Sequence, residues 1–92
     1  MDLGEIRKQI DELDRQLLDL MEQRMELVSK VSAYKKEQGL AVLDKGREVQ
    51  VLAQAASSVK NTAYQEALLE NMRTILETSK DFQRRELEGK NG

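Results

Sequence analysis

Residues 3–37 read LGEIRKQIDELDRQLLDLMEQRMELVSKVSAYKKE, and this stretch sets the architecture of the 92-residue chain. Its apolar residues fall mostly three or four positions apart, the period of one amphipathic helix: Leu3, Ile6, Ile10, Leu13, Leu17, Leu20, Leu27, Val31 and Tyr34. At 1.5 Å per residue this helix is roughly 50 Å long, whereas a compact domain of this size is about 26 Å across. We therefore expect it to pack against a second copy of the chain, in an intertwined helical homodimer with the two first helices antiparallel.

A second helix is predicted directly after the first. Gly39 closes the long helix, and the few residues that follow leave room only for a tight connection. Asp44 is then well placed to cap a short helix over about residues 45–57.

A third helix follows the polar break around Lys60. Thr62 with Gln65 fits a capping box that opens a helix over about residues 62–85, and we expect residues 85–92 to fray. The sequence contains no repeat, linker or low-complexity tract. It therefore predicts one all-α domain, residues 1–92, with three helices in the order long, short, long.

The composition restricts the chemistry that the chain can perform. Cysteine and histidine are both absent, which removes the usual metal ligands, disulfides, and the thiol and imidazole groups of nucleophilic or general-base catalysis. The net charge is −2 and there are only three aromatic residues, so nucleic acid is not an expected partner. The N terminus has no basic segment before an apolar core, and no apolar run approaches the ~18 residues of a membrane span. We expect no metal, no cofactor and no membrane partner, and a cytoplasmic location.

Cations interrupt the apolar stripe of the first helix. Arg24 and Lys35 are eleven residues apart, which is three helical turns plus about 20°, so both project in nearly one direction and can converge on one small anion. Arg7 shares the stripe but lies about 25 Å from Arg24 along the axis. If Arg7 serves a site, that site belongs mainly to another protomer. The structural alternative is that Arg24 and Lys35 snorkel, with their stems on the core and their charges in water.

Polar residues also occupy core-facing positions farther along. Ser79 and Gln83 are four residues apart and prolong the apolar stripe of the third helix, although a helix end that simply becomes polar would look the same. The segment 44–48, DKGRE, fits a helix cap with first-turn charges when taken alone. It becomes informative only in combination with the other positions.

Together these residues resemble one family, the all-helical, AroQ-type chorismate mutases, over essentially the whole chain. The motifs that carry the resemblance are Ile6-Arg7-x-x-Ile10-Asp11-x-Leu13-Asp14-x-x-Leu17-x-x-Leu20-x-x-x-Arg24, Val31-x-x-x-Lys35, Asp44-x-x-Arg47-Glu48 and Ser79-x-x-x-Gln83. No single motif is specific, but their ordered combination is hard to produce by chance. The resemblance implies that the substrate is chorismate, a dianion, which rearranges to prephenate in phenylalanine and tyrosine biosynthesis. This intramolecular Claisen rearrangement needs no cofactor, metal or proton transfer.

The resemblance also implies roles for individual residues. Arg24 and the partner subunit's Arg7 would bind the carboxylates of chorismate, with Ser79 assisting. Lys35 and Gln83 would hydrogen-bond the ether oxygen as its bond breaks. Catalysis would then come from stabilising the charge that gathers on this oxygen and from selecting the compact conformer of the substrate.

The start of the second helix would complete the site. Glu48, with the backbone near Asp44, would hold the ring hydroxyl, and Arg47 would add positive potential. The chain departs from the expected pattern at Lys80, directly after the serine, at Gly46, and in having no proline before Asp44. These departures concern the rim of the pocket more than its chemistry.

Three other functions are compatible with parts of the pattern. An isochorismate-pyruvate lyase would share the fold and the cations, but we would not expect it to keep the block Asp44-x-x-Arg47-Glu48. A helical regulatory or interaction module of an aromatic-pathway enzyme would keep the helices without the activity. A plain coiled-coil dimerisation protein would gain stability if Arg24, Lys35 and Gln83 became leucine.

Overall fold

The computed structural model describes residues 2–88, and the regular structure in this range is entirely helical. Helix α1 covers Leu3–Gln38, α2 covers Lys45–Ser58, and α3 covers Gln65–Glu88, preceded by a 3-10 turn at Thr62–Tyr64. The prediction of an all-α chain with three helices in the order long, short, long is therefore confirmed.

The two ends of α1 are closed by local hydrogen bonds. Asp2 caps the start, where its carboxylate accepts from the Glu5 N–H at 2.8 Å. At the other end Gly39 adopts a left-handed conformation with φ 69°, which a residue with a Cβ adopts only with strain. The Leu40 N–H then donates to the Lys35 carbonyl at 2.8 Å. The chain thus turns sharply away from the helix axis at this point.

The start of the third helical segment differs from the predicted capping box. Asn61, and not Thr62, is the cap, because its side-chain oxygen accepts from the Ala63 N–H at 2.9 Å. Gln65 instead donates its side-chain amide to the Ala56 carbonyl in α2 at 3.1 Å. Asparagine is among the best capping residues, so the cap forms one residue earlier than predicted, and Gln65 is free to bond the end of the preceding helix.

The end of α3 also differs from the sequence-based expectation. The helix continues through Glu88, three residues beyond its predicted end near residue 85. Residues 85–88 are thus helical, and the remainder of the segment expected to fray, residues 89–92, lies outside the described residues.

Helix α3 packs against both α1 and α2, and most of the residues that are buried on α1 and α3 are polar. Among residues 2–88, Val28 is the only apolar residue that is classed as buried, while Ser32, Ser79 and Gln83 are the buried polar residues. The best-packed part of the protomer is therefore a crossing of two helices with small and polar side chains, and not a conventional hydrophobic core.

The first half of α1 extends beyond the rest of the protomer. The eight large apolar side chains between residues 3 and 21 are 38–64% exposed: Leu3, Ile6, Ile10, Leu13, Leu17, Leu18, Leu20 and Met21. The radius of gyration is 16.4 Å, against about 12 Å for a compact chain of this length. The apolar face of this half is thus not covered within one chain. Over the described range, no helix has the length and apolar character that crossing a membrane would require.

Candidate active site

A cavity of about 270 Å³ lies between the second half of α1, the connection to α2, the start of α2 and the second half of α3. Its floor is apolar, and its charged and polar lining residues come from all of these segments: Arg24, Lys35, Asp44, Arg47, Glu48, Ser79, Lys80 and Gln83. Seven of the eight residues that the sequence predicted for the site therefore line one cavity. The exception is Arg7.

Arg24 is held in the cavity by Ser79. Its Nη1 donates to the Ser79 Oγ at 2.6 Å, and this hydroxyl donates in turn to the Ile75 carbonyl at 2.8 Å. Burial, and secondarily the charge of Arg47, lower the pKa of Arg24. No carboxylate forms an ion pair with Arg24 within the described part of the chain. The guanidinium is thus held at the cavity by a hydroxyl and not by a carboxylate, so its charge is available to an anion in the cavity.

Lys35 and Gln83 form a second hydrogen-bonded pair in the same cavity. The Lys35 ammonium donates to the Gln83 Oε1 at 3.1 Å and to the Val42 carbonyl at 2.8 Å. An ammonium has three N–H groups, so one donor of Lys35 remains for a ligand. Because the amide oxygen of Gln83 accepts from Lys35, the amide NH₂ is the group that is left to donate. Both residues thus present donors to a ligand oxygen.

The first turn of α2 brings acidic and basic groups to the rim of the cavity. Asp44 caps the helix by accepting from the Arg47 N–H at 3.0 Å, and the Asp44 carbonyl accepts from the Glu48 N–H at 3.1 Å. The Arg47 guanidinium bonds Gln50 at 2.7 Å. The carboxylate of Asp44 is therefore used in the cap, which orients the backbone that carries Arg47 and Glu48.

Lys80 also lines the cavity, although in the sequence it stands out only as a departure from the expected pattern. Its ammonium lies 2.9 Å from Glu48 of α2 and 2.8 Å from Glu77 of its own helix. Hydrogen bonds to Glu48 and Glu77 raise the pKa of Lys80, and the bond from Lys80 lowers the pKa of Glu77. The spacing of Glu77 and Lys80 is visible in the sequence, but the pair with Glu48 depends on how α2 and α3 pack.

Arg7 lies on the exposed first half of α1 and does not line this cavity. It is 17 residues from Arg24 on one continuous helix, which corresponds to about 25 Å along the axis. Within one chain Arg7 is therefore too far away to contact a ligand bound in this cavity, and its role in a partner's site stays a prediction.

The cavity combines the side chains that a small anion with several oxygen atoms would need. Four cations and a neutral amide donor surround it, and the two acidic residues are engaged in a helix cap and an ion pair. No group of three or more metal-ligating side chains occurs among residues 2–88. The arrangement can bind, orient and polarise an anionic ligand through hydrogen bonds and charge.

Comparison with known proteins gives a consistent result. The sequence model described as "Chorismate mutase type II" matches residues 6–84. Proteins named T-protein from Haemophilus influenzae and Enterobacter agglomerans are both 42% identical to the chain, over 50 and 52 residues. These alignments cover 54% and 56% of this chain but only 13% and 14% of the relatives, so the chain matches a small part of each. No solved structure matches the chain significantly.

Proposed function

The chain belongs to the type II chorismate mutase family, whose members are isomerases, and we propose that it rearranges chorismate to prephenate in the cavity described above. The observation that carries this proposal is the convergence of Arg24, Lys35 and Gln83 on one cavity, each held by a hydrogen bond that leaves donors to spare. We also propose that the reaction takes place in the cytoplasm as part of phenylalanine and tyrosine biosynthesis.

Binding of the dianion begins with Arg24. Its guanidinium has no carboxylate partner in the described structure, and the Ser79 hydroxyl fixes it in place. A planar guanidinium can form two parallel hydrogen bonds to one carboxylate, which sets both the position and the angle of the substrate. Arg47, which also lines the cavity, adds positive potential.

The reaction itself depends on Lys35 and Gln83. As the ether bond breaks, negative charge grows on its oxygen, and donors that are already oriented stabilise the transition state more than the ground state. The Lys35 Nζ lies 3.1 Å from the Gln83 Oε1, so the ammonium and the NH₂ group of the same amide are close enough to donate to one ligand oxygen. Holding the substrate in its compact conformer supplies the remaining acceleration, because the reacting carbons are then close together.

A homodimer completes the site in this proposal. The uncovered apolar face of residues 3–21 needs a partner, and an apolar groove lined by Leu17, Met21, Leu68 and Met72 lies beside it in the same protomer. We propose that the α1 helices of two chains pair antiparallel. The partner subunit's Arg7 would then reach the carboxylates in each site.

An assay of the purified protein tests the proposed activity. Chorismate absorbance should decay in the presence of the protein and prephenate should form, whereas isochorismate should not be converted to pyruvate and salicylate. Conversion of isochorismate alone would assign the chain to the lyase alternative. Stability of both substrates at micromolar protein would overturn the proposal in favour of a binding or dimerisation module.

Subunit mixing tests the shared site. Arg7→Ala and Lys35→Ala should each be inactive as homodimers, because every site then lacks one residue. After a 1:1 exchange, half of the dimers are mixed and one of their two sites escapes both substitutions, so activity should return to about a quarter of the wild-type value. Absence of recovery, with subunit exchange verified by mass spectrometry, would contradict a site shared between protomers.

A further inference from the structure

We propose that Lys80 is a positioning residue for the substrate, which acts by fixing the Glu48 carboxylate and offsetting its charge at the rim of the cavity. This inference rests on the proposed function. It identifies the pair of Lys80 and Glu48 as a determinant of how tightly the site holds a dianion.

The geometry of the pair differs from that of an ordinary surface ion pair. Lys80 reaches from α3 to Glu48 on α2 at 2.9 Å, and its side chain is only 13% exposed, while that of Glu48 is 26% exposed. Both residues line the cavity. Shielding from water strengthens the attraction and makes the orientation of the carboxylate better defined than at an exposed site.

The ion pair leaves Glu48 able to accept a hydrogen bond from a ligand. Lys80 occupies Oε2, and across residues 2–88 no hydrogen-bond donor contacts Oε1. An ionised carboxylate has about four lone-pair sites on its two oxygens, so one oxygen can be held by the lysine while the other accepts from a hydroxyl group. The lysine thereby fixes the rotamer of Glu48 without using up its acceptor capacity.

Lys80 is also the cation that neutralises Glu48 in the described structure. Arg47, the neighbouring residue in α2, directs its guanidinium to Gln50 instead. Without Lys80, a carboxylate would face the dianionic substrate with no cation paired to it. The lysine therefore allows the Glu48 carboxylate, as the acceptor for a substrate hydroxyl, to share the cavity with an anionic substrate.

The competing explanation is that the pair merely ties α2 to α3. In that case its loss would lower the free energy of unfolding and leave the affinity for substrate unchanged. The ring hydroxyl of chorismate, which Glu48 would bind, is not part of the bond that forms or of the bond that breaks. Loss of the positioning role of Lys80 should therefore act on KM much more than on kcat. The two explanations thus predict different measurements.

The test compares Lys80→Met, Lys80→Gln and Lys80→Arg by steady-state kinetics with chorismate, with folding checked by circular dichroism. Removal of the charge should raise KM about tenfold, because charges near a protein surface interact at an effective dielectric constant of about 20 and their attraction or repulsion remains appreciable. The change in kcat should be less than about threefold. Lys80→Arg should bring KM back to within about threefold of wild type, because the guanidinium can also pair with Glu48.

Glu77→Gln is the matched control, because it removes the other acidic neighbour of Lys80, which lies outside the cavity, and leaves the pair with Glu48 intact. Its KM should stay within about twofold of wild type. An active wild type combined with unchanged KM in folded Lys80→Met or Lys80→Gln would overturn this inference alone. An inactive wild type would instead overturn the proposed function.

Discussion

Replacing Gln83 with glutamate should convert a pH-independent active site into one that works only in acid. In the wild type the Gln83 amide oxygen accepts from Lys35 at 3.1 Å, and its NH₂ group is free to donate. The Gln83→Glu carboxyl can donate only while it is protonated. Once ionised, it would neutralise Lys35 and repel the charge that develops on the ether oxygen, so activity should fall as pH rises.

The size of the effect follows from the position of Gln83. The residue is only 7% exposed, and burial would raise the pKa of the new carboxyl, whereas the adjacent Lys35 ammonium would lower it. These two effects oppose each other, and at the reference pKa of about 4.3 for glutamate the protonated fraction would fall roughly a thousandfold between pH 5 and 8. Loss of one preorganised donor is worth about 10²–10³ in kcat, so kcat/KM should fall by roughly this factor between pH 5 and 8.

The assay measures kcat/KM for chorismate at half-unit steps from pH 5 to 8. The wild type should give a flat profile because the chain contains no histidine. Gln54→Glu, an exposed glutamine on α2, adds the same charge outside the cavity and should also be flat. If Gln83→Glu is active and flat over this range, Gln83 does not face the breaking bond, and the placement of α3 in the mechanism is wrong.

Four further changes test other parts of the site. Lys35→Ala should lower kcat about 10²–10³-fold in single-turnover assays, since it removes the charged donor to the ether oxygen. Ser79→Ala should raise KM severalfold in steady-state kinetics with little change in kcat, because Arg24 loses the hydroxyl that fixes its guanidinium. Arg24→Leu should stay folded in urea titrations but lose measurable chorismate turnover, whereas a plain coiled-coil protein would gain stability and have no activity to lose. Asp44→Ala should lower the free energy of unfolding by about 1 kcal/mol at fixed protein concentration, because α2 loses its cap.

Much of the fold could be predicted because the decisive signals are local. The three-and-four spacing of apolar residues in α1 and the capping positions of Asp2, Gly39 and Asp44 all act within a few residues of themselves. The one failed cap shows the limit of such signals. Thr62 and Gln65 satisfy the capping-box pattern, but Gln65 bonds Ala56 in another helix, and no local pattern reports that alternative partner.

In the candidate site, too, the residues that could be predicted are those whose positions depend on local helix geometry. The shared phase of Arg24 and Lys35 is fixed by helical geometry, and the structure places both in one cavity. The pairing of Lys80 with Glu48 could not be predicted in this way. The two residues are 32 positions apart on different helices, and residue spacing does not show how these helices pack against each other. Its contact with Glu77 is the part that spacing could have shown.

The distribution of polar and apolar residues along α1 links the site to the proposed dimer. In the second half of this helix, Arg24 and Lys35 lie on the face that packs against α3. The α3 residues that they contact there, Ser79 and Gln83, are buried. Burying such groups contributes less stability than burying aliphatic side chains of the same size. The apolar surface that could make up the difference lies on residues 3–21, where one chain cannot cover it. In the proposed homodimer a partner would cover this surface, and antiparallel pairing of α1 would bring the partner subunit's Arg7 to the cavity at the same time.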